Sequence, residues 1–380
     1  MRYSLTDLKN VKLEVGMLAE ARKEKVSFTS WIENELAVKK QIVDSPYVRQ
    51  NTNGECVAHS MSEIIAAKKL MKELGQPAPS TAFELLLEAH GIKAFGPFTD
   101  KVNKFFATGT SSILWPEWIN TVVYYDQLAT SLVEKLLPNM IIIDSWSHKK
   151  RKIEDVTTTG KFELGETVRG TAFPELNVEL SEVENRLKKF GAILRWTYEA
   201  IEDMTLAQFR TEVLSIVSRK IGLSKTAEAI YVFINGDGVS TGLPAGNIET
   251  ATVAGTIDAE DIMKFITATD EGYQIDQAVT PVAYLRKYRM AMVEMNNPPL
   301  QKDEFGIPLP EVYRWDGSYL TADYVLGVDS KVAGAWVTND TMMMDESEKV
   351  ITDQTINQVI SIRGIPIILD AKGIGALDVA

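Results

Sequence analysis

The chain has 380 residues, of which 52 are acidic and 40 basic, for a net charge of −12. With 45% apolar and 24% charged residues it has an ordinary soluble composition, which excludes wholesale disorder, a collagen or a coiled-coil rod. A single cysteine, Cys56, excludes an internal disulfide and a multi-cysteine metal centre, and the acidic balance argues against a protein that grips nucleic acid by neutralising phosphates.

No apolar run approaches the ~20 residues of a membrane span, and Met1–Gly16 lacks the apolar stretch of a signal peptide, so we expect a soluble protein of a reducing compartment. The first ~115 residues read as helical. Ser60-Met-Ser-Glu63 and Thr81-Ala-Phe-Glu84 are capping boxes, and Gly75 and Gly91 stop the helices that follow. Residues 91–116 read as a linker or arm. Residues 117–137 place Trp118, Val122, Tyr125, Leu128, Leu132 and Leu136 on one helical stripe, and Met140–Ile143 reads as a short buried strand.

Residues 147–200 change character. His148-Lys-Lys-Arg-Lys152 is a basic run, read as a solvated loop or a partner for Glu163, Glu166 or Glu175 of another subunit. Leu176, Val178 and Leu180 alternate with polar residues, and Ala192–Tyr198 is a second β-rich run. The pattern predicts a long polar ribbon, marginal alone and suited to lie against another chain. Thr205-Leu-Ala-Gln208 opens an amphipathic helix that Gly222 should end, with Ser224 capping a second one. Asp258-Ala-Glu-Asp261 opens another, with Ile262, Phe265 and Ile266 inward; Val279–Ala291, Val325–Val337, Val359–Ile362 and Ile365–Leu369 read as strands.

Little of this carries catalytic chemistry. Asn235-Gly-Asp-Gly-Val-Ser-Thr-Gly242 is glycine-rich but lacks the lysine of a phosphate loop, and reads as a turn. Gln50 followed by Gly54-Glu-Cys56 faintly resembles papain-like peptidases, yet the only distant histidine is His148, inside the basic run. His59 lacks the partners of a metal site. His90 stands where a cation suits a helix end. Glu199, Glu202 and Asp203 suit the dipole of the next helix better than acid–base work. No cofactor or metal site is read, and no enzyme.

Residues 170–238 resemble the major capsid proteins of tailed phages, whose fold is the Hong Kong 97 type shared with encapsulins. The resemblance rests on Gly170-Thr-Ala-Phe-Pro174, Lys188–Asp203, the helix Leu206–Gly222 and the Asn-Gly-Asp-Gly ending at 238, in that order. Asp303–Pro308, Val325–Asp329 and Arg363-Gly-Ile-Pro366 look like later strands, so that about 120–380 is covered.

The resemblance implies an α+β capsid fold: a helical, scaffolding-like N-terminal extension over 1–100; an N-arm over 101–146; an E-loop over 147–187; a P-domain with spine helix over 188–234; an A-domain over 235–340; and a return through the P-domain with a final A-domain strand over 341–380. It further implies a virion protein, assembled in the host cytoplasm as hexamers and pentamers of an icosahedral shell around double-stranded DNA. Portal, scaffold or maturation protease and decoration proteins would be partners. Lys161, Arg169, Phe173, Glu199 and Asp203 are the candidate inter-subunit contacts, and Lys161 with Asn339 a candidate crosslink pair. The alternatives are an encapsulin-like compartment and, in another class, a cysteine hydrolase using Cys56.

Overall fold

Side-chain caps fix where the helices begin. The computed structural model describes residues 17, 20–21, 23–24, 26–39, 45–50, 56–95, 99–106, 114–143, 145–155, 176–269, 272–295, 309–320, 323–339, 344–350 and 354–380. In chain order these hold α1 (Phe28–Glu33), β1 (Val48–Gln50), β2 (Cys56–Ala58), α2 (Met61–Glu73), α3 (Ala82–Ala89), α4 (Leu114–Thr130), α5 (Val133–Leu136), β3 (Met140–Ile142), β4 (Ser147–Asp155), β5 (Leu176–Arg186), β6 (Lys188–Thr197), α6 (Tyr198–Asp203) and α7 (Leu206–Gln208). A π-helical run, Phe209–Leu214, joins α7 to α8 (Ser215–Asn235). Then come β7 (Ile248–Thr250), α9 (Ala259–Ile266), β8 (Gln277–Thr280), α10 (Val282–Met295), β9 (Glu311–Arg314), β10 (Tyr324–Val328), β11 (Gly334–Thr338), β12 (Met344–Val350), β13 (Thr355–Ile368) and β14 (Ile374–Asp378). Reciprocal capping boxes open α2 at Ser60, α3 at Thr81, α7 at Thr205 and α9 at Asp258. Gly75 and Gly91 follow α2 and α3 at φ +68° and +73°, the left-handed conformation a helix stop requires.

The chain divides into two compact units. The first comprises Met1–Thr130, Lys189–Gly222 and Asn339–Arg363. Its core gathers Phe28, Trp31, Phe83 and Leu86 with Phe105, Trp115, Trp118, Phe209 and Ile360. Trp115 stacks on Trp118 at 5.2 Å between ring centroids, and Trp196 meets Phe209 at 4.4 Å. In this unit the first half of β13 pairs antiparallel with β12, and β13 also pairs with β6.

The second unit comprises Ser131–Lys188, Leu223–Thr338 and Gly364–Ala380. Its five-stranded sheet runs β7-β14-β10-β8-β9, with β7 parallel to β14, β8 parallel to β9, and the other two pairs antiparallel. Ile262 and Phe265 of α9 and Tyr288 of α10 share a core with Ile275, Val325 and Leu377. Gly327 belongs there because a Cβ would stand 2.5 Å from the Phe265 ring. The second half of β13 pairs antiparallel with β11, which pairs in parallel with β3.

Several sequence expectations are corrected. Gly222 is buried inside a helix that continues to Asn235. An interior glycine costs about 1 kcal/mol, which the burial of Ala229, Ile230 and Phe233 further along offsets. Only Gln277–Thr280 of the run through Ala291 is strand. Pro281 follows it, and Asp316 accepts the Val282 N–H at 2.8 Å to start α10, a cap from a distant loop. Val359–Ile362 and Ile365–Leu369 belong mostly to one strand; Gly364 does not break it but clears space for the Trp336 ring, 2.6 Å from where its Cβ would be. Met140 and Ile142 are 40% and 42% exposed, so β3 is not a buried strand. Residues 91–116 are more than linker: Phe105 in a 3-10 turn and Trp115 in α4 are core residues.

Two carboxylates are buried in the first unit. Glu117 accepts the Thr29 N–H at 2.8 Å and its hydroxyl at 2.6 Å. Glu33 is fully buried and accepts the Ala82 N–H at 2.5 Å, at the start of α3. Burial raises the Glu33 pKa, with the Ala82 N–H opposing. A raised carboxyl pKa means that the native state binds the proton more tightly than the unfolded chain. Glu33 therefore favours folding below its unfolded pKa and loses that contribution as pH rises through the native value. Measured by urea unfolding across pH 4–7, the stability difference between wild type and Glu33→Gln is expected to shift toward wild type as pH falls. A pH-independent difference would contradict this assignment.

Candidate functional site

Residues 147–186 form a ribbon, but not with the expected partners: β5 pairs with β4, the run read as a loop, whereas the second expected strand, β6, pairs with β13. β4 and β5 pair antiparallel from Ser147↔Arg186 to Asp155↔Leu176, and the eleven residues of β5 span ~36 Å. Among the described residues neither strand has a second neighbour in a sheet. The register sets Lys149 opposite Glu184 and Lys152 opposite Glu179.

The basic run is strand rather than solvated loop. The register shifts between Lys149 and Arg151, a bulge that turns Lys150 inward. The Lys150 ammonium lies 3.5 Å from the Asp237 carboxylate, with the two side chains 5% and 0% exposed, and donates to the Ser240 hydroxyl. Asp237 also accepts from the Val239, Ser240 and Ile368 N–H groups at 3.0, 2.6 and 3.0 Å. Gly236 and Gly238 hold φ of +95° and +85° beside it. The glycine-rich turn thus cradles its own aspartate, and that aspartate fixes the base of the ribbon. Nearby, Lys188 bonds Glu228 of α8 at 2.5 Å and lies over the Tyr231 ring. The sequence offers a signal for each partner, a lysine in a strand and an aspartate in a glycine turn, but none that pairs them.

Glu199 and Asp203 lie on α6 and are exposed, as is Glu202; α6 is itself capped by Thr197, so these acids sit within one short helix and just ahead of the next, α7. Lys161, Arg169 and Phe173 lie outside the described residues. Asn339 is only 5% exposed, which hides it from a crosslinking lysine of a neighbour.

Cys56 begins the strand β2 and is exposed, and it does not stand at a helix N-terminus. His59 pairs with Glu63 at 3.4 Å. His90 caps α3, but burial lowers its pKa and disfavours the cation expected there. Among the described residues no group of histidine, cysteine and carboxylate side chains could hold a metal, and no helix is long and apolar enough to cross a membrane.

The fold is α+β, and its described elements follow the order that the sequence resemblance implies: ribbon, strand, acidic corner, long helix, then the Asn-Gly turn at 235–238. Several solved structures are similar to this chain. The holo-SrpI encapsulin complex from Synechococcus elongatus matches with a TM-score of 0.48 and 10% identity over 65% of this chain and 86% of its own. A phage-related protein from Bordetella bronchiseptica matches with a TM-score of 0.47 and 10% identity, over 69% and 96%. The capsid of a native GTA particle gives 0.45 and 15%, over 66% and 90%. No protein-family model matches the chain, and no curated protein does.

Proposed function

We propose that the chain is the structural subunit of an icosahedral shell of the tailed-phage capsid type, assembling into hexamers and pentamers around packaged double-stranded DNA. The observation that carries this reading is the ribbon. A polar two-stranded arm ~36 Å long is marginal by itself, yet a buried ion pair fixes its base, which suits an arm held ready to lie on a second copy. Large exposed side chains support it: Trp146 at the ribbon base (63%), Ile193 on β6 (70%) and Val293 on α10 (67%) are apolar groups that a neighbouring subunit would cover.

In this reading 147–187 is the E-loop, 188–234 the P-domain strand and spine helix, and 235–340 the A-domain. Residues 1–100 remain part of the shell. Lys161, Arg169, Phe173, Glu199 and Asp203 contact neighbours, and portal and decoration proteins join the assembly in the virion. The net charge of −12 suits a wall past which DNA slides, since it offers little to displace counterions. No catalysis is needed.

Sedimentation velocity and negative-stain microscopy of the purified full chain are the test. Closed shells or six- and five-membered rings are expected. A monomer that stays monomeric when co-expressed with phage portal and scaffold proteins would overturn the reading.

A further inference from the structure

Helix α10 buries one face and leaves the other bare. Tyr288 and Ala291 are buried in the core of the second unit, with Tyr284 packed beside them. On the far side Val282, Leu285, Arg286, Arg289, Met290 and Val293 line an open groove of about 500 Å³. They recur at three- and four-residue steps and so form one stripe along the helix. Val282, Met290 and Val293 are 49%, 55% and 67% exposed. Arg286 and Arg289 are exposed too, and among the described residues neither guanidinium has a hydrogen bond or ion pair. Their neighbour Lys287 does have partners: it donates to the Gly255 carbonyl and lies over the Tyr284 ring. Two unpaired cations set among apolar groups suit an acidic protein surface, and the chain itself has a net charge of −12.

The complement is present on the same chain. Helix α6 carries Glu199, Glu202 and Asp203, all exposed, and among the described residues none of these carboxylates has a hydrogen bond or ion pair. The spacing matches as well. Arg286 and Arg289 are three residues apart, as are Glu199 and Glu202, so each pair shares a helix face and is separated by ~4.5 Å along the axis. Two ion pairs can then form at once between helices laid side by side.

We propose that the α10 groove takes the α6 corner of a second copy of this chain, Arg286 and Arg289 against Glu199 and Glu202, with Met290 and Val293 covered alongside. The phosphates of nucleic acid would satisfy the arginines but leave the apolar stripe wet. A second copy also brings Ile193, 70% exposed on the strand that leads into α6. Because α10 belongs to the second unit and α6 to the first, the two surfaces differ and the contact runs head to tail. Such contacts close into rings when the rotation between copies permits. The inference rests on the shell reading for its setting and names what that reading leaves open, the surface that receives Glu199.

Sedimentation velocity of the full chain tests it by charge reversal. Arg286→Glu with Arg289→Glu is expected to reduce the assembled fraction at least tenfold, since like charges then face each other, and adding Glu199→Arg with Glu202→Arg is expected to restore it. All four positions are exposed, so the variants should fold, which thermal melting checks. Assembly indifferent to the reversal, or lost and not restored, would overturn the contact and leave the shell reading standing. A wild type that forms no rings removes the shell reading alone, and crosslinking then decides the contact. In a Cys56→Ser background, chains carrying Arg289→Cys are mixed with chains carrying Glu202→Cys and treated with a short bismaleimide. A linked pair is expected from the mixture at least fivefold above either chain alone. No enrichment in the mixture overturns the proposal. A DNA duplex that binds the wild type but not the arginine variant would assign the face to phosphate and overturn it too.

Discussion

A chain beginning at residue 101 is expected to lose cooperative folding of its first unit. Nearly half of the described buried residues in that unit's core lie before this point, among them Phe28, Trp31, Ile32, Leu36, Phe83, Leu86 and Leu87. Burying a side chain of this size contributes about 1.5–3 kcal/mol, so seven of them represent about 10–21 kcal/mol, as much as the ~5–15 kcal/mol by which whole domains are stable. What remains would also be damaged. Glu117, now 4% exposed, would lose both hydrogen bonds from Thr29, and stripping donors from a buried carboxylate is costly. The Asp100 carbonyl and the Thr99 hydroxyl, which accept from the Leu206 and Ala207 N–H groups at the start of the long helix, would be lost as well.

The expected product is insoluble or binds hydrophobic dyes and melts without a sharp transition. A soluble 101–380 fragment with cooperative unfolding would show instead that the first hundred residues are a detachable scaffold. The distinction bears on maturation. A protease cut near residue 100 in a finished shell would remove core, so under the proposed function this segment stays.

Local signals explain what was legible in advance. All four capping boxes open helices because the cap and its acceptor lie within four residues, and β5 was visible because alternation is read one strand at a time, whereas its pairing with β4 is not. What escaped depends on distant partners. Asp316 starts α10 from a loop 34 residues on, Trp336 explains Gly364, and helix packing carries α8 through Gly222. The candidate site divides the same way. Of the ribbon only β5 was legible, since its partner β4 was read as a loop, and its anchor joins a lysine read as solvated to an aspartate read as part of a plain turn. Glu33 and Glu117 escaped for the opposite reason to the caps: they serve helix starts far away in sequence.

Replacing Lys150 by methionine should destabilise the second unit by about 3 kcal/mol, the low end of what breaking a buried ion pair costs. The low end applies because Asp237 keeps three backbone N–H donors when the ammonium is gone. Asp237→Asn should cost more. Its amide nitrogen must face either Ile368 N–H or the Val239 and Ser240 N–H groups, donor against donor, while Lys150 is left charged and buried. The double variant should fall short of the sum of the singles by 1 kcal/mol or more, because each single change already forfeits the shared pair. Denaturant unfolding measures all three, and Lys150→Met within about 0.5 kcal/mol of wild type would remove the anchor from the account. Hydrogen exchange locates the effect. If the pair fixes the ribbon base, amides of β4 and β5 should exchange faster in Lys150→Met while those of β10 and β14 hold. Uniform acceleration would mean a lost core contact and nothing particular to the ribbon. Shell assembly then separates stability from geometry. A Lys150→Met subunit that is folded at the assay temperature but forms irregular or open particles would show that the ion pair sets the direction of the arm.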